Sequence, residues 1–233
     1  TVGRSGLTSP AWSFTTAGAP PTMRTVVHPG GHNVTTVLSL GGSIVAPDGP
    51  DPDFLKKFAA VVKAWLAADA ERRLILVVGG GGPARTWQKA YRACASEPDA
   101  DAQDWIGIMA TRLNAQLVRS LFLDLCPHEV VTDPTSVAVF GGRILVGSGW
   151  KPGFSTDYDA VVLAERFGAT ELINLSNIAK VYSADPKVDP AAKPVDSMSW
   201  DDFRAMVGDE WVPGKNVPFD PVASRRAHEL GIK

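Results

Sequence analysis

Three glycine-bearing stretches carry the strongest chemical signal in this chain: Gly41-Gly42-Ser43, the run Gly79-Gly80-Gly81-Gly82, and the segment from Gly147 through Gly153. Each ends an apolar run and precedes a helix-forming one. Glycine lets the main chain approach a ligand closely, successive N–H groups cradle an anion, and a helix N-terminus adds a favourable dipole. One such turn is weak evidence, being most often only a turn. Three at one sheet edge suggest several phosphates bound together. Charged groups lie close by in sequence: Arg85 follows the second run, Lys151 sits inside the third, and Asp104 and Asp157 each fall near a predicted helix start. The common nucleotide and hydrolase signatures are absent, with no GxxxxGK[ST], no GxGxxG after the first strand, no Gx[ST]xG and no HExxH.

The elements that must position these groups alternate strand and helix from residue 34 onward. Residues 34–40 form a β-branched run that stops at the first glycines. Asp51-Pro52 then offers an N-cap and an N1 proline. Phe54, Leu55, Phe58, Val61, Val62, Trp65 and Leu66 follow at helical spacing and make one apolar stripe. Residues 74–78 read as a buried strand ended by the second glycine run. The pattern predicts helices over 83–95 and 104–124, strands over 129–131 and 144–146, a helix over 156–167 and a strand over 172–175. Ser199 with Asp202 resembles a capping box, and Asp220-Pro221 and Gly231 bracket a last helix. Continuous apolar strands alternating with amphipathic helices imply an α/β fold, a three-layer α/β/α sandwich with a mostly parallel central sheet. Ligands of such sheets bind beyond the carboxyl ends of the strands, where all three glycine loops fall. The chain stops soon after a helix, where an α/β unit ordinarily runs into another strand, so a missing last strand is an expectation.

Composition narrows the function classes. The chain has 233 residues, 45% hydrophobic and 21% charged, enough for one sizeable core. Lys and Arg number 23 against 25 Asp and Glu, a net charge of −2 that argues against a general nucleic-acid binder. No apolar run approaches the roughly 20 residues of a membrane span. Two cysteines, Cys94 and Cys126, cannot build a disulfide framework or a four-ligand zinc site and read as the reduced thiols of a cytoplasmic protein. Residues 1–33 contain no acid and show no periodicity, which predicts a flexible extension ahead of the domain at 34–233. His28 and His32 have helical metal-ligand spacing, but Pro29-Gly30-Gly31 between them forbids the helix.

Five blocks in order carry a family resemblance: Val37-Leu38-Ser39-Leu40-Gly41-Gly42-Ser43; Val77-Val78 with the glycine run and Arg85; Asp104-Trp105-Ile106-Gly107-Ile108 with Thr111-Arg112-Leu113-Asn114-Ala115; Pro152-Gly153-Phe154-Ser155-Thr156-Asp157; and Asn177 through Val181-Tyr182 to Asp185-Pro186. The chain resembles the amino acid kinase superfamily, with its carbamate kinase-like fold, and more specifically the archaeal type of uridine monophosphate kinase. That resemblance implies a homohexameric cytoplasmic enzyme that uses Mg²⁺ and transfers the ATP γ-phosphoryl group to UMP. It implies ATP contacts at Gly41, Gly42, Ser43, Gly81, Arg85, Ser176, Asn177, Tyr182 and Asp185. UMP contacts are implied at Gly79, Gly80, Asp104, Trp150, Lys151, Pro152, Gly153, Phe154, Ser155 and Thr156. Arg85, Lys151 and Asp157 would carry the catalytic roles, with Mg²⁺ held mainly through ATP.

Plainer roles compete at several positions. Arg85 also reads as a solvated helix residue, Arg112 as an ion-pair partner, Asp104 and Asp157 as N-terminal caps, and Tyr182 as a core or edge-strand aromatic. Many superfamily kinases have a lysine two residues before the first glycine. Ser39 stands there, leaving Arg85, Lys151 or Lys215 as candidate cations. Ala179-Lys180 replaces a usual acid and glycine, and Trp150-Lys151 a usual small residue and histidine. The alternatives are the same fold with another acceptor, isopentenyl phosphate or a carboxylate or carbamate, or a non-catalytic ATP-binding or oxyanion-storage protein.

Overall fold

Parallel strands, each fed by a helix crossing back over the sheet, dominate the computed structural model, which describes residues 35–178, 180–184, 189–208, 210 and 217–233. The strands β1 (Thr35–Leu40), β2 (Arg73–Val78), β3 (Ile144–Gly147) and β4 (Leu172–Leu175) form one all-parallel sheet in the order β3-β2-β1-β4. The helices are α1 (Gly42–Val45), α2 (Pro52–Ala67), α3 (Gly81–Cys94), α4 (Ala100–Ser120), α5 (Thr156–Arg166), α6 (Trp200–Val207) and α7 (Pro221–Glu229). A two-residue antiparallel pair, β5 (Val181–Tyr182) with β6 (Pro194–Val195), stands apart from the main sheet. The predicted extension at residues 1–33 lies outside the described residues.

Strand alternation decides which layer each side chain joins. Leu38, Leu40, Leu74, Leu76 and Val78 pack with Phe58, Val62 and Leu66 of α2, Val118 of α4 and Phe122 just beyond it. Val37, Ile75, Val77 and Leu145 turn to the other face, against Ala160, Val161 and Ala164 of α5 and Ala223 and Ala227 of α7. These residues are buried on both faces, so the strands read as continuous apolar runs. Helix α3 packs against α4. Beyond β4, the main chain of Lys233 bonds to Thr170 and Leu172 in the parallel sense.

Caps fall largely where residue chemistry puts them. The Asp51 carboxylate accepts from Asp53 and Phe54 amides at 3.0 Å, and Asp220 caps α7 in the same manner. Ser199 and Asp202 bond reciprocally at the start of α6. Three expectations are corrected. Helix α4 begins a turn earlier than residue 104, because the Asp99 side chain takes the cap by accepting from the Ala102 amide at 2.7 Å. Residues 129–131 do not form a strand; a single bridge joins Val131 to Gly147, and the side-chain turn of Asp133, followed by Pro134, ends the run. The first glycine turn is a short helix, α1, and α3 opens inside the second glycine run rather than after it.

Glycines 42, 79 and 81 interlock. A Cβ on Gly42 would lie 2.1 Å from the Gly81 nitrogen and 2.5 Å from the Gly79 carbonyl. Gly81 itself has φ 63°, which disfavours any side chain. Gly42→Ala should therefore cost at least about 3 kcal/mol, at or above the usual range for overpacking, because the obstacle is backbone. Gly49→Ala, with nothing within 4 Å, should cost less than about 0.5 kcal/mol as an ordinary surface change. Urea unfolding of the two variants checks the contrast.

Candidate active site

The carboxyl ends of four neighbouring parallel strands bring Gly41, Gly79, Gly147 and Ser176 to one rim. Local hydrogen bonds knit the rim together: the Gly79 amide donates to Leu40, Gly41 to Leu175, and Gly82 to Ala46. Two helices start here, α1 with Gly41 and α3 with Gly80 at the cap position. Neither has a side-chain cap or an acid in its first turn. Every other helix among the described residues is capped by an Asp or Ser side chain. In α3 the Gly82 amide goes to Ala46 and Pro83 has none, so the first-turn donors with no side-chain cap are the amides of Gly42, Ser43 and Gly81, an arrangement that suits an anion.

Beside them lies a cleft of about 300 Å³. One wall is α3, presenting Gly81, Ala84, Arg85 and Gln88. The other is α4, presenting Asp104, Gly107, Ile108 and Thr111, and Gly80, Gly149, Phe154 and Thr156 complete the lining. Both helices use positions i, i+3, i+4 and i+7, one face each. Arg85 and Asp104 are the charged residues of the lining. The Arg85 guanidinium donates to the Pro47 carbonyl at 3.2 Å, tying α3 to the segment after α1.

Helix α4 organises the rim. Buried Asn114 donates through Nδ2 to the carbonyls of Gly79 and Gly80 at 2.9 and 3.1 Å. Thr111 Oγ1 accepts from the Gly149 amide at 2.8 Å, and the Asp104 carboxylate accepts from the Gly153 amide at 3.0 Å. Arg112 donates to the Trp150 carbonyl at 3.2 Å and stacks on Trp105, so its partners are main chain and an aromatic ring. Trp150 and Phe154 of the same loop form an aromatic row with Tyr158 of α5, ring centres 5.1 and 4.9 Å apart.

The predicted site residues divide accordingly. Gly80, Gly81, Arg85, Asp104, Phe154 and Thr156 line the cleft. Gly41, Gly42, Ser43, Gly79 and Ser176 border the neighbouring rim, where Ser176 abuts Gly41. Lys151 does not line the cleft; its ammonium lies 4.0 Å from the Trp150 ring centre and 5.2 Å from that of Phe154. Trp150, Pro152 and Gly153 form the loop backbone, and Ser155 caps α5 by accepting from the Tyr158 amide. Asn177 follows β4, and Tyr182 sits half-buried in the β5–β6 pair, an edge-strand aromatic. Asp185 and Lys215 lie outside the described residues.

Neither Asp104 nor Asp157 is a cap, since Asp99 and Ser155 hold those positions. Asp157 also stays off the cleft lining. Its carboxylate accepts from the Ser39 hydroxyl at 2.7 Å and from the Asp220 amide at 3.2 Å, joining β1, α5 and α7. The position that lacks the superfamily lysine thus supplies a hydroxyl to this carboxylate. Sequence reasoning missed Ala84, Gln88, Gly107, Ile108 and Thr111 as lining residues, although the helical spacing from Arg85 and Asp104 reaches four of them directly; Gly149 lies within the third glycine stretch. Also missed was Asp159, only 1% exposed, whose Oδ2 accepts from the Trp150 amide at 3.1 Å.

Burial pushes the Asp157 carboxyl from 3.8 up to about 6, against the pull of its Ser39 and Asp220 hydrogen bonds. Burial pushes Asp159 up to about 7, and the nearby Asp157, Asp133 and Asp220 charges add to the rise. The folded chain keeps both protons to higher pH than the unfolded chain. Their favourable contribution is therefore complete below about pH 4 and is lost as pH rises through 6 and then 7. Asp159→Asn removes one titration while keeping a carbonyl acceptor for Trp150. Urea unfolding from pH 4.5 to 7.5 should show a decline in stability at least about 1 kcal/mol shallower in this variant, since a tenfold difference in proton affinity between folded and unfolded chain is worth about 1.4 kcal/mol. Equal slopes would contradict the assignment.

A model of the amino acid kinase family matches residues 34–233. The uridylate kinase of Methanospirillum hungatei is 41% identical over 201 residues, covering 85% of this chain and 83% of that protein. The uridylate kinase of Methanosarcina barkeri is 38% identical over 193 residues, covering 81% and 80%. Among solved structures, uridylate kinase from Archaeoglobus fulgidus superposes with a TM-score of 0.72 at 33% identity, over 84% of this chain and 87% of that one. With its parallel sheet and glycine rim, the chain belongs to the amino acid kinase family.

Proposed function

We propose that this chain transfers the γ-phosphoryl group of ATP to the phosphate of UMP, giving UDP and ADP. The observation that carries the reading is the pair of uncapped helix N-termini at one rim, opening beside a cleft that holds Arg85 and Asp104. The acceptor is a phosphate monoester whose second pKa is near 6, largely dianionic at pH 7, so the reaction needs no general base. It needs two polyanions held in line and relief of charge as the phosphoryl group moves.

In this reading the amides of Gly42, Ser43 and Gly81, with the Arg85 guanidinium, hold the donor phosphates. Ser176, Asn177 and Tyr182 face its nucleoside, a role that Asp185 would share. Gly80 and the loop of residues 150–156 enclose the acceptor, whose ribose hydroxyls donate to Asp104. Asp157 works by fixing Ser39 and the start of α7 rather than by taking a proton. Mg²⁺ would be carried by ATP and would neutralise phosphate charge; among the described residues no group of three His, Cys, Asp or Glu side chains is placed to hold a metal ion. The reading also carries a homohexamer, whose mass sedimentation analysis tests, and a cytoplasmic location, which cell fractionation tests. No helix among the described residues is long and apolar enough to cross a membrane.

A coupled ADP-release assay over UMP, CMP, AMP and isopentenyl phosphate should show turnover with UMP well above the others. ATP binding without turnover on any acceptor would overturn the assignment. Asp104→Ala should raise KM for UMP about tenfold or more, the loss expected for a charged hydrogen-bond partner, while KM for ATP stays within about threefold.

A further inference from the structure

We infer that Arg112 and Asp159 are a positioning pair for the acceptor loop, gripping the Trp150 main chain from the two helical layers of the fold; this rests on the phosphoryl-transfer reading above. The loop leaves β3, an edge strand of the main sheet. At its carboxyl end the strand's outer side is joined by the bridge to Val131, which reaches no further than Ser148, so the loop beyond Ser148 needs anchors from elsewhere. Helix α4, from the layer packed on Leu74 and Leu76, sends Arg112 Nη2 to the Trp150 carbonyl at 3.2 Å. Helix α5, from the opposite layer, sends Asp159 Oδ2 to the Trp150 amide at 3.1 Å.

The cost of this arrangement falls on the same two residues. Among the described residues, the buried side-chain polar atoms without a hydrogen-bond partner are Arg112 Nε and Asp159 Oδ1. A fold rarely tolerates such atoms without a reason, and here both belong to the groups that hold one residue. Asp159 is also withdrawn from solvent where an acid on a surface helix would be free of penalty. What the pair gains is a defined loop position. Four residues beyond Trp150, Phe154 lines the cleft, and between them Gly153 meets Asp104. A loop released at Trp150 would misplace the acceptor wall while leaving the donor rim at Gly42 and Gly81 untouched.

The test combines kinetics with hydrogen exchange on the full chain. Asp159→Ala should raise KM for UMP about tenfold, the loss expected when a buried donor is left unpaired, with KM for ATP within about twofold. Amides of residues 147–155 should exchange faster in the absence of any nucleotide, with β1 and β2 unchanged. Asp159→Asn, which keeps a carbonyl for the Trp150 amide, should restore both readouts. Arg112→Met removes the other grip and should reproduce the Asp159→Ala pattern, which keeps the test available if that variant does not fold. Unchanged UMP affinity and unchanged loop exchange would overturn the inference. So would an equal loss for both nucleotides, or an Asp159→Asn variant as impaired as Asp159→Ala. If the wild type fails to turn over UMP, the proposed function falls, and the exchange data alone decide whether the pair holds the loop.

Discussion

Contact between two backbones, without side chains between them, is the constraint from which the rest follows. Gly42 lies directly against Gly79 and Gly81, and the Gly79 amide closes the contact by bonding to Leu40. This approach is possible only because β1 and β2 are adjacent, parallel and in register through Leu40 and Val78. It sets the starts of α1 and α3 side by side. Two helix N-termini so close repel each other through their partial charges, and the repulsion is relieved when an anion sits between or before them. The glycines that make room for one another thus also gather the Gly42, Ser43 and Gly81 amides at one rim.

Around that contact, α4 works as a scaffold more than as a cover for the core. Asn114 fixes the second glycine loop by two carbonyls, Thr111 fixes the start of the third, and Asp104 reaches its middle. Asp157 performs the matching task on the other face, where Ser39, Asp220 and the N-terminus of α5 converge. Placing half-buried Asp157 and buried Asp159 on one helix start concentrates titratable groups next to the loop that carries Trp150. The arrangement explains how a chain with serine at the usual lysine position keeps this corner ordered. Arg85, the charged group that lines the cleft from α3, is the cation proposed for the donor side.

Much of the fold was legible because its signals are local. Asp51-Pro52 caps and starts α2, the apolar runs at β1 and β2 are buried on both faces, and the glycine stretches end strands where expected. Boundaries failed where two local signals competed. Asp99 and Asp104 both suit a helix start, and only the structure shows the earlier one taking the cap. Residues 129–131 carry β-forming types but lack the length for a ladder before Asp133-Pro134. The cleft lining was legible where glycine or helical spacing marked it, as at Gly80, Gly81, Arg85 and Asp104. It was illegible where function depends on contacts distant in the chain. Ser39 and Asp157 are 118 residues apart, and nothing near Asp159 in sequence announces that its carboxylate is buried against Trp150.

The proposed phosphoryl transfer requires that main-chain amides of the paired glycine loops receive the donor phosphates. Amide chemical shifts of the ¹⁵N-labelled protein, followed during titration with a non-hydrolysable ATP analogue, test it most directly. The account predicts that the Gly42, Ser43 and Gly81 amides move first and furthest, with the Arg85 side chain. Saturable binding that leaves these amides unmoved while shifting resonances elsewhere would contradict it.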